Sequence, residues 1–373
     1  MNAVIIIDKP AGLTSHDVVN RMRRILGQRS IGHLGTLDPL ATGVLPLVTG
    51  SFTRLAQFYI SSEKAYEGVI RFGFATNTYD ADGEPLHEPR NVQLSLPQLQ
   101  NLAAGFLGVL QQVPPPFSAK KINGVPAYKL ARKQQQVVLA PVAVEIKEFL
   151  ITALNNDRAD FRARVSSGTY MRSIAHEMGQ RLGCGAHLET LRRTSVAEFD
   201  ITQAHTVDEI ETRLKIKVSD SEACGKNGVE KTIPHSEPGS SPGVEREFCD
   251  SEPLGKPGVE KIVCHSEPGA KPGVEREFCH SEPGGKPGEE PAFPCKEGNA
   301  ALFVHPRQLL PHFPAVTADE ATAARIRSGQ SVNLPDVSRA RQVKVFASQT
   351  DLISIATRIA GTLFHAKIVF PAS

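Results

Sequence analysis

Nothing in the 373 residues approaches the roughly 18-residue apolar run that a membrane helix requires. The longest apolar run near the start, Ala3 to Ile7, is broken at once by Asp8 and Lys9, so no membrane partner is expected. The N-terminus lacks the basic segment, longer apolar stretch and small-residue cleavage site of a secretory signal, which points to a cytoplasmic protein. Cysteine is scarce where it would count. Five of the six cysteines fall between residues 219 and 298, and none forms the close pair that opens a zinc site. The sixth, Cys184, sits three residues from His187 without a second ligand pair, so Leu182-Gly183-Cys184-Gly185-Ala186-His187 reads as a glycine turn. Hydrophobic residues at 40% and charged residues at 22% are ordinary for a globular chain long enough for two or three domains.

The net charge of +2 averages two unlike parts. Residues 219–298 hold 16 acidic against 9 basic side chains, a balance of −7, which leaves +9 on the other 293 residues. A basic surplus of that size suits a polyanionic partner, though many enzymes share it. The acidic segment is an internal repeat. Asp220-Ser221-Glu222, His235-Ser236-Glu237, Asp250-Ser251-Glu252, His265-Ser266-Glu267 and His280-Ser281-Glu282 recur every 15 residues. With 11 Pro, 12 Gly and three aromatics in 80 residues, it has too little apolar surface to offset the entropy of ordering, and disorder is expected. Two prolines per 15-residue unit also leave no room for a solenoid.

Outside the repeat the pattern is that of a folded α+β chain. Val4 to Ile7 suits a buried strand ended by Asp8-Lys9-Pro10-Ala11-Gly12. Thr14-Ser15-His16-Asp17 has capping-box spacing, after which Val18, Val19, Met22, Ile25 and Leu26 share a helix face, with Gly27 as the stop. Arg21, Arg23 and Arg24 on the other face read as a solvated surface before a nucleic-acid contact. The next loop, Gly32-His33-Leu34-Gly35-Thr36-Leu37-Asp38-Pro39-Leu40-Ala41-Thr42-Gly43, holds a single acid fixed by the proline after it. It lacks the Gly-Lys-Ser/Thr ending of a phosphate loop, and Asp-Pro is by itself a common turn pair.

A strand is expected from Tyr66 to Phe74, followed by the acidic turn Tyr79-Asp80-Ala81-Asp82-Gly83-Glu84. A calcium loop would need a Glu at its twelfth position, so a plain surface turn is preferred. Residues 113–133 form a proline-led basic excursion, equally suited to an RNA-gripping lobe and to an exposed loop and helix. Phe161, Ala163 and Val165 alternate with polar residues in a half-buried strand that runs into Ser167-Gly168-Thr169-Tyr170-Met171-Arg172. Met171, Ile174, Ala175, Met178 and Leu182 then line one helix face. Arg172 stands near the start of that helix, where the macrodipole disfavours a cation, and therefore calls for a carboxylate. His176-Glu177 begins a zinc-protease pattern that Gln180, standing where the second histidine belongs, does not complete.

Together, Asp8-Lys9-Pro10 through Ser15, Gly35 to Gly43, Lys64-Ala65-Tyr66, Ser167 to Ser173, the glycine turn and Leu191-Arg192-Arg193 resemble the bacterial TruB family of tRNA pseudouridine synthases over about residues 3–200. Residues 301–373, in Arg327-Ser328-Gly329-Gln330 and Leu363 to Phe370, are more loosely similar to the family's small C-terminal RNA-binding barrel of the PUA type. The resemblance implies an α+β fold with three parts. These are a mixed-sheet pseudouridine synthase catalytic domain over 1–218, the disordered repeat insert over 219–298, and a PUA-like β-barrel domain over 299–373. It implies isomerisation of the T-loop uridine, position 55 of tRNA, with Asp38 as the one essential acid and Arg172 as its partner. Whether Asp38 adds to the sugar or removes a sugar proton stays open. Tyr66 would stack on the extracted base and help remove its proton, Tyr170 would line the same pocket, His33 and Leu191 would lie near the nucleotide, and Lys9 would support the loop. Lys120, Lys121, Lys129 and Arg132 of the 113–133 lobe would approach phosphates of the T-arm. No metal, cofactor or obligatory protein partner is implied, and a monomer is expected. Two alternatives remain: a non-catalytic tRNA-binding or folding module of the same shape, and a guide-RNA-dependent synthase acting on ribosomal RNA. The repeat departs from the family's short connection, and its removal is expected to leave turnover intact.

Overall fold

The computed structural model describes residues 1–214 and 302–371, apart from 119, 123, 128–129 and 131–138. The repeat, with its five cysteines and the disorder expected of it, lies outside the described residues, as do Lys129 and Arg132.

A large mixed sheet organises residues 1–214. Its strands are β1 (Val4–Lys9), β2 (Ile31–His33), β3 (Thr42–Thr49), β4 (Lys64–Phe72), β5 (Gly108–Gln112), β8 (Val142–Asn155), β9 (Arg158–Val165), β10 (Ala186–Val196) and β11 (Phe199–Asp200), while β6 (Lys121–Ile122) and β7 (Val125–Pro126) form a separate ribbon. The path runs β1-β3-β10-β4-β9-β8-β5, with β2 paired to β3 and β11 to β10. Every pairing is antiparallel except β3 with β10, where Thr42 and Gly43 lie opposite Arg192 and Arg193. That parallel seam brings the acid-bearing loop beside the Leu191-Arg192-Arg193 segment.

β1 is apolar on both faces because both are covered, which is why it reads as a continuous run and not an alternation. Ile5 and Ile7 pack with Val18 and Met22 of helix α1 (Ser15–Ile25), and the same cluster takes in Leu99 of a second helix (Leu96–Ala104) and Ile174 and Met178 of a third (Met171–Arg181). Val4 and Ile6 face the other way, into a cluster shared with Leu309, Phe346, Ile355, Ile368 and Phe370. Those five residues belong to or flank a second, five-stranded sheet, ordered β12 (Ala315–Thr317), β14 (Gln342–Phe346), β15 (Leu352–Ala360), β16 (Leu363–Val369), β13 (Val332–Asn333). This half-barrel is backed by the helix Glu320–Arg327 through Ala323 and Ile326.

Local chemistry explains the element ends. The Thr14 hydroxyl accepts the Asp17 amide at 3.1 Å while Asp17 Oδ2 accepts the Thr14 amide at 2.9 Å, the reciprocal capping box that the spacing predicts. The strand expected over Tyr66–Phe74 runs two residues earlier, over Lys64–Phe72, because Gly73 turns the chain at φ +103°. Arg21 is engaged by Asp208 and by Glu211 at 3.0 Å, as befits the solvated face. Among the described residues no helix is long and apolar enough to cross a membrane.

Candidate active site

The loop carrying Asp38 is fixed from three sides. The Lys9 ammonium, fully buried, donates to the carbonyls of Pro10 at 2.8 Å, Leu13 at 2.7 Å and Pro39 at 3.2 Å, so it ties the turn after β1 to the residue following the acid. Ser15 accepts the Leu37 amide at 2.8 Å. Arg193, also fully buried, donates from Nε to the Val44 carbonyl at 2.8 Å, from Nη1 to Thr36 at 3.2 Å and from Nη2 to Gly35 at 3.0 Å. At Gly43, φ is +97° and an added Cβ would stand 2.2 Å from the Arg193 carbonyl oxygen, so only glycine fits where β3 enters the seam.

Arg172 meets Asp38 across this loop. Its Nη2 donates to Oδ1 at 3.0 Å, and its Nε lies 2.9 Å from Oδ2. The guanidinium is sunk, 5% exposed, whereas the carboxyl keeps 35% of its side-chain surface open to solvent. Arg172 is held in turn by the Thr78 carbonyl at 3.3 Å, the Phe117 carbonyl at 3.1 Å and, through Nη1, the Asp80 carboxylate at 3.4 Å. The cation at a helix N-terminus thus has two acids to offset the unfavourable macrodipole.

Asp80 corrects the reading of residues 79–84 as a plain surface turn. It is 5% exposed, because this turn pairs with β10: the Leu188 amide donates to Tyr79 and the Ala81 amide to Leu188. Tyr79 adopts a left-handed φ of +67°, and its ring stacks on His176 at 3.7 Å. An open cavity of about 460 Å³ lies there, lined by Tyr79, Gln112, His176 and Gln180 among others.

Burial raises the Asp38 carboxyl above its ordinary value; the Arg172 guanidinium opposes this, and the charge on Asp80 reinforces it. Tyr66, on β4 and 8% exposed, is likewise raised by burial, while the charge of Arg193, which lies opposite it on β10, pulls it down. Burial also raises Tyr170, against which the Ser118 hydroxyl and Arg172 act. The Asp38 charge raises both phenols as well. Leu191 is buried on β10, and His33 closes β2 with Nδ1 buried and unpartnered, its ring pushed below the ordinary histidine value by burial and by Arg193. Lys120 is half-buried at the start of the basic lobe, and Lys121 lies on β6. His187 Nδ1 lies 3.1 Å from the Phe74 carbonyl. Among the described residues no group of three His, Cys, Asp or Glu could hold a metal ion.

Sequence reasoning missed Asp80 and Arg193 as parts of this assembly. Strand period places Arg193 on the same face as Leu191, a signal readable once β10 is known. For Asp80 the only hint was the apolar Phe74-Ala75 leading into the turn.

Two family models divide the chain at this site: the N-terminal domain of the TruB family pseudouridylate synthases matches residues 23–171, and the C-terminal domain of tRNA pseudouridylate synthase B matches 172–224. The chain is 55% identical over 212 residues to the tRNA pseudouridine synthase B of Solibacter usitatus, covering 57% of this chain and 72% of that one. It is 46% identical over 211 residues to the protein of the same name from Opitutus terrae, covering 57% and 88%. The chain belongs to the TruB family. A solved H/ACA RNP bound to a substrate RNA containing 2'-deoxyuridine is similar in fold, with a TM-score of 0.60 at 17% identity over 99% of this chain and 85% of that one. In this TruB chain the two matched segments are joined by the Asp38–Arg172 pair.

Proposed function

We propose that the chain is a tRNA pseudouridine synthase that converts the T-loop uridine, position 55, to pseudouridine, with Asp38 as its one catalytic acid. The observation that carries this reading is a carboxylate held by a buried guanidinium at 2.9 and 3.0 Å yet still open to solvent. Isomerisation requires the bond from ribose C1′ to N1 to break, the base to turn, a C1′–C5 bond to form, and the C5 proton to leave while N1 gains one. An ionised Asp38 can assist the first step by adding to the sugar or by removing a sugar proton. Arg172 keeps it ionised against the pull of burial. Tyr66 offers a ring for stacking on the base and an oxygen for its C5 proton, and Tyr170, Leu191 and His33 complete the walls.

The uridine must first leave the T-loop stack, at a cost of a few kcal/mol. Stacking and phosphate contacts offset it, and Lys120, Lys121, Lys129 and Arg132 are the cations assigned to the T-arm phosphates. The Thr78 and Phe117 carbonyls and the Asp80 carboxylate that hold Arg172 leave the acid little freedom to reorganise during reaction. Release of tritium from C5 of uridine in a bare, unmodified T-arm transcript tests the reading. Wild type releases it without guide RNA or other protein, and Asp38→Asn reduces release to background while still binding the transcript. Undiminished release by Asp38→Asn rejects the assignment.

A further inference from the structure

The Arg193 side chain is a fully buried cation, yet among the described residues no carboxylate forms an ion pair with it. Such a charge is costly to bury, and a hydrocarbon side chain would fill the same space at lower cost. Its hydrogens go instead to the acid-bearing loop, on both sides of Asp38: Gly35 and Thr36 before it at 3.0 and 3.2 Å, Val44 after it at 2.8 Å. In the pairing of β10 with β4, Arg193 lies directly opposite Tyr66, and its charge holds the phenol down against burial. Arg193 therefore joins the loop of Asp38 through its planar fork, and the seam with β3 and the strand of Tyr66 through its place in the sheet. A lysine at this position could not span these acceptors, since its donors radiate from one atom.

We propose that Arg193 is a positioning residue for the isomerisation, setting the Asp38 loop and the Tyr66 phenol in register so that both reach the same nucleotide. It touches no substrate atom itself; it acts through the backbone on either side of Asp38 and through its place opposite Tyr66 on the paired strand. The inference deepens the proposed function and rests on it. Without Arg193 the cleft keeps its Arg172–Asp38 pair, so RNA recognition is retained while the geometry between acid and phenol is lost. Errors of about an ångström at a reacting centre cost on the order of 100-fold in rate.

The test compares wild type, Arg193→Lys and Arg193→Met in the full chain, with unmodified tRNA transcript as probe, measuring single-turnover rate and tRNA Kd separately. Arg193→Lys, which keeps the buried charge and is the variant better able to fold, is expected to lose at least tenfold in rate with Kd within threefold of wild type. Arg193→Met is expected to lose more. Thermal unfolding of each variant reports whether the fold is retained. Arg193→Lys turning over within twofold of wild type overturns the proposal. A parallel loss of rate and affinity also overturns it, because it assigns Arg193 to general stability. Asp38→Asn in the same assay separates the two levels: if it remains active the function itself fails, and if it alone is inactive only the role of Arg193 fails.

Discussion

Arg172 divides its hydrogens between two acids and two backbone carbonyls, and this division makes the charge balance at Asp38 adjustable. Replacing Asp80 by Asn removes one anchor of the guanidinium, and hydrogen bonds to charged groups contribute about 1.5–3 kcal/mol. Turnover of T-arm RNA by Asp80→Asn should accordingly fall by about 10- to 100-fold with affinity unchanged. The same change removes a negative charge that raises Asp38, so the Asp38 carboxyl moves down and the acid limb of the pH–rate profile shifts to lower pH. A limb that moves upward would contradict the network. Lys9 gives a second titration signal. Burial lowers it to about 8 from the ordinary 10.5, so between those values the unfolded chain binds the more protons and the Lys9 contribution to stability rises with pH. Denaturation midpoints at pH 7.5 and 9.5 should show that rise shrinking in Lys9→Met relative to wild type. The single acid in a glycine- and proline-fixed loop, and an arginine in need of a carboxylate, were legible in the residues themselves. Asp80 was not, because an acidic turn looks solvated until the strand it pairs with is known.

Elements with local signals were the ones read correctly. The capping box at Thr14, the apolar face of α1 and the alternation in β9 each concern residues within one or two turns of one another. The seam between β3 and β10 is different: Gly43 and Arg193 are 150 positions apart, and only the assembled sheet shows why position 43 must lack a Cβ. This sets up a contrast between two glycines of similar φ. Gly12, at +84°, has open space around it, so Gly12→Ala incurs only left-handed strain of about 1–2 kcal/mol. Gly43→Ala adds the clash with the Arg193 carbonyl, must part β3 from β10, and should lose on the order of 4 kcal/mol or more. Urea unfolding of the two variants ranks them. Equal losses would show that the seam gives way freely.

The two sheets share a core, which composition and the intervening repeat both concealed. Phe370 packs edge-on against Phe52 at 5.2 Å, and the Leu310 amide, on a residue at φ +50°, donates to Glu198 at 2.8 Å and to the Tyr59 hydroxyl at 3.2 Å. Lys344 donates to the Arg307 and Leu309 carbonyls at 2.8 and 2.6 Å. Glu198→Ala leaves Tyr59 and the Leu310 amide short of a buried partner, a loss of about 1–3 kcal/mol, seen as a lower Tm in calorimetry. Because the cores are continuous, unfolding should stay a single transition. The same continuity bears on residues 219–298. Leu214 and Leu302, the described residues on either side of that segment, pack on one cluster, so both chain ends to be joined are anchored in the same core. Loop-closure entropy grows only as the logarithm of length, and shortening an 80-residue connection changes stability by about 1–3 kcal/mol. Deleting 219–298 should therefore leave the Asp38–Arg172 geometry untouched, with single-turnover rates within about threefold of the full chain. If the deletion abolishes tritium release while its Tm is unchanged, the repeat has a part in RNA handling that the cleft alone does not provide.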